Sequence, residues 1–247
     1  KKQTPLISIE AARKNKEMIC WELEKIVAPK FIGRRVFKNY DLAEIAACID
    51  WTPFFQTWDL AGKFPNILDD EIVGDSAKKV YADAQAMLQK IIQGRWLSAD
   101  AIIGFYPANS VGDDIELYAD EYRTQRVLNW RNYRQQTERP VVDGVQKPNR
   151  CLADYVAPKD SGVKDYVGMF AVTAGHGIEK KLHEFETAHD DYSAIMLKAL
   201  ADRLAEAFAE RMHQRVRTEL WAYVGDEHLS NEELIAEGYV GIRPAPG

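Results

Sequence analysis

DDYSAIMLKALADRLAEAFAERMHQRVRTELWAY, residues Asp190 to Tyr223, is the stretch whose reading decides the fold. It has no Gly and no Pro, and it is dense in Ala, Leu, Glu and Arg, which lose little on entering a helix. Apolar residues recur at Tyr192, Ile195, Met196, Ala199, Leu200, Leu204, Ala207, Phe208, Met212, Val216 and Leu220. That spacing predicts an amphipathic helix of about nine turns. Lys198, Arg203, Glu210, Arg211, Gln214 and Arg217 fall on the polar side. Asp202, Glu206 and Glu210 are four apart and share one stripe. At 1.5 Å per residue the helix spans roughly 45–50 Å, so the other elements are expected to pack beside it.

The chain has 247 residues, 46% of them hydrophobic, enough for one or two cores. Its formal net charge is -6, with no basic run, which argues against nucleic acid and against an anionic membrane surface. No apolar run reaches the length of a membrane span, and no signal peptide is seen. Cys20, Cys48 and Cys151 are widely spaced without a CxxC, as suits reduced thiols in a cytoplasmic protein. Both ends read as cuts in a longer polypeptide, so a fragment is expected.

Outward from the long helix, the chain alternates helices with strand-turn-strand phrases. Ser8 is placed to cap a first helix reaching Lys16. Gly33–Tyr40 reads as a strand. Asp41, with Glu44 in a capping box, starts a helix ending at Ile49–Asp50. Pro53 suits the first turn of the next helix, which puts Asp50 just before that N-terminus among large aromatic residues. Asp75–Gln93 is a helix with Gly94 as its stop. Ala101–Tyr106 is a buried strand and Pro107–Asp114 a turn. Ile115–Tyr118 and Arg126–Trp130 are partner strands, Thr137–Arg150 an exposed loop and Tyr166–Thr173 a central strand. A helix over Ile178–His189 leads to the long one. Ser230 and Glu233 form a capping box for a short last helix. The succession predicts an α+β fold with a mostly antiparallel sheet.

The residues that bear chemistry assign no reaction by spacing. Gly175-His176-Gly177 sits between a strand and a helix, but it lacks the third glycine and the following βα alternation of a dinucleotide turn. An ordinary turn reads the same way. The five histidines form no metal-ligand spacing and are read as surface residues. Asp202 and Glu206 suit either a solvated helix face or a grip on hydroxyl or ammonium groups. Asp50 suits a helix cap or a ligand contact. Arg243, between glycine and prolines, suits an exposed loop or a forked grip on a carboxylate.

Longer phrases carry a resemblance. Asp50-Trp51-Thr52-Pro53-Phe54-Phe55 is followed by Phe105-Tyr106-Pro107-Ala108-Asn109 and Val111-Gly112-Asp113-Asp114-Ile115-Glu116. Then come Arg134-Gln135-Gln136-Thr137, Cys151-Leu152-Ala153-Asp154, Ala157-Pro158-Lys159 and Phe170-Ala171-Val172-Thr173. His189-Asp190-Asp191-Tyr192 leads into Lys198–Ala207, and the chain closes on Gly241-Ile242-Arg243-Pro244-Ala245-Pro246-Gly247. Together these resemble the activation domain of cobalamin-dependent methionine synthases over nearly the whole chain. The resemblance assigns 1–40 to a lead-in and first helix. It assigns 41–247 to the S-adenosylmethionine-binding activation domain, cut short before the Tyr of the family's Arg-x-x-x-Gly-Tyr phrase.

The resemblance implies a bent, mostly antiparallel sheet with long helices around it. It implies reductive methylation, in which S-adenosylmethionine gives its methyl group to reduced cobalamin and methionine synthesis from homocysteine is sustained. Cobalamin is then held by a neighbouring domain, and a flavodoxin-type protein is the electron donor. The ligand-binding residues implied are Asp50, Glu206, Arg243, Ala245 and Gly247, with Asp202 and Glu237 adding negative potential. Arg243 takes the carboxylate and Asp50 the ammonium or another donor. Glu206 takes the ribose hydroxyls or faces the cation, and the backbone at Ala245 and Gly247 takes adenine. No side chain need act as a general base, because the methyl donor is already activated. Two other readings stay open: a docking module for the cobalamin domain and its donor without competent ligand binding, and a Rossmann-type methyltransferase using Gly175 and Gly177.

Overall fold

The computed structural model describes residues 4–244. In chain order the elements are α1 (Ile9–Lys14), β1 (Gly33–Phe37), α2 (Leu42–Ala46), α3 (Thr52–Gln56), α4 (Gly74–Gly94), β2 (Ser98–Val111), β3 (Asp114–Tyr118) and β4 (Arg126–Trp130). They continue with β5 (Val141–Val142), β6 (Val145–Gln146), β7 (Asp165–His176), α5 (Ile178–Thr187), α6 (Asp191–Arg215) and α7 (Asn231–Ile235). Among the described residues the main sheet has five strands, ordered β1-β2-β3-β4 with β7 also paired to β2. The pairs β2–β3 and β3–β4 are antiparallel, with Ser110 opposite Ile115 and Ile115 opposite Trp130. The fold is therefore α+β. Those antiparallel pairs, and the helix-to-helix path after Gly177, end the Rossmann-type reading.

The chain forms two compact units, one built from the segment up to Arg34 with Gly104–Met169, the other from Arg35–Ile103 with Phe170 onward. In the first, Ser8 Oγ accepts the Ala11 N–H at 3.2 Å and so caps α1, which stops at Lys14. Ala108, Ile115, Leu117, Cys151, Ala153, Val156 and Val167 form its core. The expected turn over Pro107–Asp114 is instead strand as far as Val111, and the reversal falls on Gly112, whose φ is +63°. Turn-type residues are satisfied here inside a buried strand. Asn109 Nδ2 donates to the Ala157 and Val163 carbonyls, and Ser110 Oγ donates to that of Val156. The loop over 137–150 carries the small exposed β5–β6 hairpin but ends on Asn149, which is fully buried.

The second unit is organised on α6. Asp190 Oδ1 accepts the Ser193 N–H at 3.0 Å, and Met196, Leu200, Leu204, Phe208 and Met212 are fully buried. Tyr192 and Ile195, counted with the apolar face, lie at its margin and are 42% and 45% exposed. The helix does not run on to Tyr223. After Arg215 it widens into one π-helical turn, Val216–Leu220, and the chain reverses at Ala222, φ +62°. Asp41 caps α2 by accepting from Ala43 N at 2.8 Å, but Glu44 closes no capping box. Its carboxylate is drawn away to the Tyr40 hydroxyl at 2.8 Å and to Arg211 at 3.2 Å. Helix α2 stops at Ala46, short of Ile49. Pro53 lies in the first turn of α3, as expected. Gly94 is still helical, and the left-handed residue that ends α4 is Arg95, φ 48°. Trp51, Phe54, Phe55 and Tyr81 pack edge to face or tilted beneath α3, with centroids 5.0–6.2 Å apart.

Candidate functional site

Three pieces of the second unit carry the expected ligand residues that lie among those described. The first is the junction of α2 and α3, both of which pack on α6. Asp50 occupies this junction, half-buried, with Oδ1 accepting from Thr52 N at 2.9 Å. Trp51, beside it, is buried. The carboxylate is thus fixed at the N-terminus of α3. The second piece is α6 itself, where Asp202 and Glu206 are exposed and Glu210 is half-buried along one stripe. Asp202 pairs with its neighbour Arg203 at 2.5 Å.

The third piece is the strap that follows α7. Helix α7 is held by the expected capping box, with Ser230 N donating to Glu233 Oε2 at 2.8 Å. Asn231 Nδ2 donates to the Ile49 carbonyl at 3.3 Å, which ties the start of α7 to the residue before Asp50. Glu237 turns the chain out of α7 in the left-handed region, φ 57°, which is unfavourable for a side chain other than Gly or Asn. Its N–H still reaches the Leu234 carbonyl at 3.0 Å, and Gly238 N reaches that of Glu233 at 2.9 Å. Gly241 has φ +98°, and a Cβ there would stand 2.9 Å from the Tyr223 hydroxyl, so the strap runs close over Tyr223. Arg243 then pairs with Glu210 on α6. Ala245 and Gly247 lie outside the described residues.

The Arg243–Glu210 pair was not foreseen. Glu210 was placed on the polar side of the helix with no partner foreseen, and the contact crosses 33 residues of sequence. Burial raises the Glu210 carboxyl above its usual range; Arg243 and Arg217 oppose this, and Glu237 adds to it. Among the described residues, Glu210 Oε2 and Arg243 Nε are buried without hydrogen-bond partners. A guanidinium and a carboxylate that each keep an unused buried atom form an incomplete polar contact, one that a ligand carrying both a carboxylate and donors can complete.

Two readings of polar residues need correction. Arg217, placed on the polar side of the long helix, is completely buried. His213, read as a surface histidine, is 4% exposed. Arg217 makes a two-pronged pair with Glu227 at 2.7 and 2.6 Å and reaches His213 Nδ1 at 2.7 Å. A guanidinium has only donors, so His213 Nδ1 must accept and the imidazole is neutral with its proton on Nε2. Burial, with Arg217 and Arg243 nearby, pushes the His213 pKa down to about 3. The residues that cover this corner, Glu227 and Tyr239, come 10 and 22 positions after Arg217, so helical periodicity alone gave no sign of them.

No group of three or more His, Cys, Asp or Glu able to hold a metal is found among the described residues, and no helix there is long and apolar enough to cross a membrane.

This α+β architecture, with α6 flanked by the α2–α3 junction and the strap, is that of a reactivation domain. The crystal structure of the MetH reactivation domain bound to AdoHcy is similar to it, with a TM-score of 0.92 and 49% sequence identity, covering 99% of this chain and 73% of that one. Residues 41–247 match the family described as vitamin B12-dependent methionine synthase, activation domain. The chain belongs to that family and is an activation domain of a cobalamin-dependent methyltransferase.

Proposed function

We propose that this domain binds S-adenosylmethionine beside α6 and presents its methyl group to reduced cobalamin held by a neighbouring domain. The observation that carries the reading is the Arg243–Glu210 contact, with its two unused buried atoms one helical turn from Glu206. Arg243 receives the ligand carboxylate, which competes with Glu210 for the guanidinium. Asp50 holds the ammonium. Glu206 faces the sulfonium or the ribose hydroxyls, Asp202 and Glu237 add negative potential, and the backbone at Ala245 and Gly247 meets adenine. A cationic ligand is drawn to this acidic helix face. The similar reactivation domain bound to AdoHcy, the demethylated form of the same ligand, supports the assignment. The domain binds and orients the ligand; catalysis by the isolated domain is not required. A flavodoxin-type protein supplies the electron, and the assembly works in the cytoplasm to sustain methionine synthesis.

Calorimetric titration with S-adenosylmethionine tests the reading. Binding is expected, and Arg243→Ala or Asp50→Ala should weaken it by about 2 kcal/mol or more. Tight binding unchanged in both variants would refute the site. No binding by the parent protein would favour the docking-module reading.

A further inference from the structure

The strap that carries Arg243 has little apolar anchorage of its own. Val240 is 65% exposed and Ile242 51% exposed. Among the described residues, the Arg243 side chain is held by a polar pair to Glu210. What fixes the strap is Tyr239. Its ring lies under the Arg217 guanidinium, 4.4 Å from carbon to centroid, and meets His213 edge to face at 4.7 Å. A second tie is weaker: the Tyr223 hydroxyl donates to the Val240 carbonyl at 3.4 Å.

The seat for this ring is built for rigidity. Arg217 is wholly buried, and Glu227 is 4% exposed. Glu227 closes the guanidinium fork from one side and His213 takes a third donor. The π-helical turn and the reversal at Ala222 bring the chain back so that Val224 N donates to the Arg217 carbonyl at 3.1 Å and Glu227 meets the side chain. A desolvated guanidinium held flat presents a fixed face to an aromatic ring, where the attraction is strongest.

We propose that Arg217 is a positioning residue for ligand binding: with Glu227 and His213 it forms a buried seat for the Tyr239 ring, and that latch holds the Tyr239–Arg243 strap so that Arg243 is aimed at the ligand carboxylate. The proposal deepens the ligand reading above and rests on it. It adds a residue that touches no ligand, and it locates the control of affinity in a latch four residues upstream of Arg243.

The test uses the whole chain, with S-adenosylhomocysteine as the probe in calorimetry and hydrogen–deuterium exchange in its absence. Arg217→Lys keeps the charge but loses the fork. Because a buried substitution can prevent folding, Tyr239→Leu is the principal variant and Tyr239→Phe its conservative partner. Tyr239→Leu is expected to weaken binding by roughly tenfold or more, and Tyr239→Phe by no more than about twofold, because the ring contacts survive. Exchange over 236–244 should quicken in Tyr239→Leu, while α6 peptides between 195 and 212 stay protected. Three results would overturn the latch: unchanged affinity in Tyr239→Leu, equal damage from Phe and Leu, or exchange that rises throughout α6. Failure of the wild-type protein to bind would overturn the ligand reading itself. That failure is distinguishable, because the exchange comparison is made without ligand.

Discussion

Replacing His213 by Asn should remove a specific part of the protein's pH dependence. His213 accepts from Arg217 at 2.7 Å and is held neutral, with a pKa near 3 against 6.5 for a free histidine. The charged groups that face it are Arg217, on the π-helical turn that follows its helix, and Arg243 on the strap; Glu227 and Glu210 neutralise these two in turn. Between pH 6.5 and about 3 the unfolded chain binds a proton at this position and the folded chain does not. The stabilisation is therefore complete above pH 6.5 and is lost as pH falls through that window. Integrated from pH 7 to pH 5, the loss is about 2 kcal/mol. Asn places an amide oxygen where Nδ1 stands, so it can still accept from Arg217 but cannot titrate. Urea unfolding at pH 7 and pH 5 supplies the assay. Wild type should lose about 2 kcal/mol more than His213→Asn between the two pH values. Glu210, raised by burial, acts in the opposite direction, but it is present in both proteins and drops out of the comparison. Equal losses in the two proteins would refute the buried neutral histidine and the coupling to Arg217.

Two further outcomes concern carboxylates elsewhere in the chain. Asp154→Asn should destabilise the first unit by about 1–3 kcal/mol, because Arg134 stays buried and keeps Asp113 but loses its second carboxylate, and urea titration at pH 7 measures it. Glu206→Gln should weaken S-adenosylmethionine by about 1 kcal/mol while leaving the uncharged thioether S-adenosylhomocysteine nearly unaffected if Glu206 faces the sulfonium. Equal losses for the two ligands in calorimetry would instead assign Glu206 to the ribose.

Much of the helical part was legible because its signals are local. Ser8, Asp41 and Ser230 act as the caps they were expected to be, and Pro53 enters at a first turn. The family phrases in the first unit could be read only as strings, and the structure gives their physical reason. Arg134 of the Arg-Gln-Gln-Thr phrase, 1% exposed, is gripped by Asp113 of the Val-Gly-Asp-Asp phrase at 2.7 Å and by Asp154 of Cys-Leu-Ala-Asp at 2.6 Å. It also donates to the carbonyl of Asn149 at 2.7 Å. Three distant phrases converge on one buried cation, which neither periodicity nor propensity within any single phrase can reveal.

The same logic explains why the corner of the candidate site was misread. Periodicity along α6 separates apolar positions from polar ones, and it equates polar with solvated. That equation holds only while nothing charged returns to cover the polar face. Arg217 and Glu210 are both on polar positions, and each is met by an opposite charge from a later segment, Glu227 and Arg243. Burying an unpaired charge is so unfavourable that covering this face requires those partners to arrive together with the cover. The strap can therefore close over α6 only in the register that pairs Arg243 and seats Tyr239. An apolar strap would tolerate sliding; a strap matched charge for charge does not. The polar corner that sequence periodicity misassigns is, for that reason, the part of the fold that fixes where Arg243 stands.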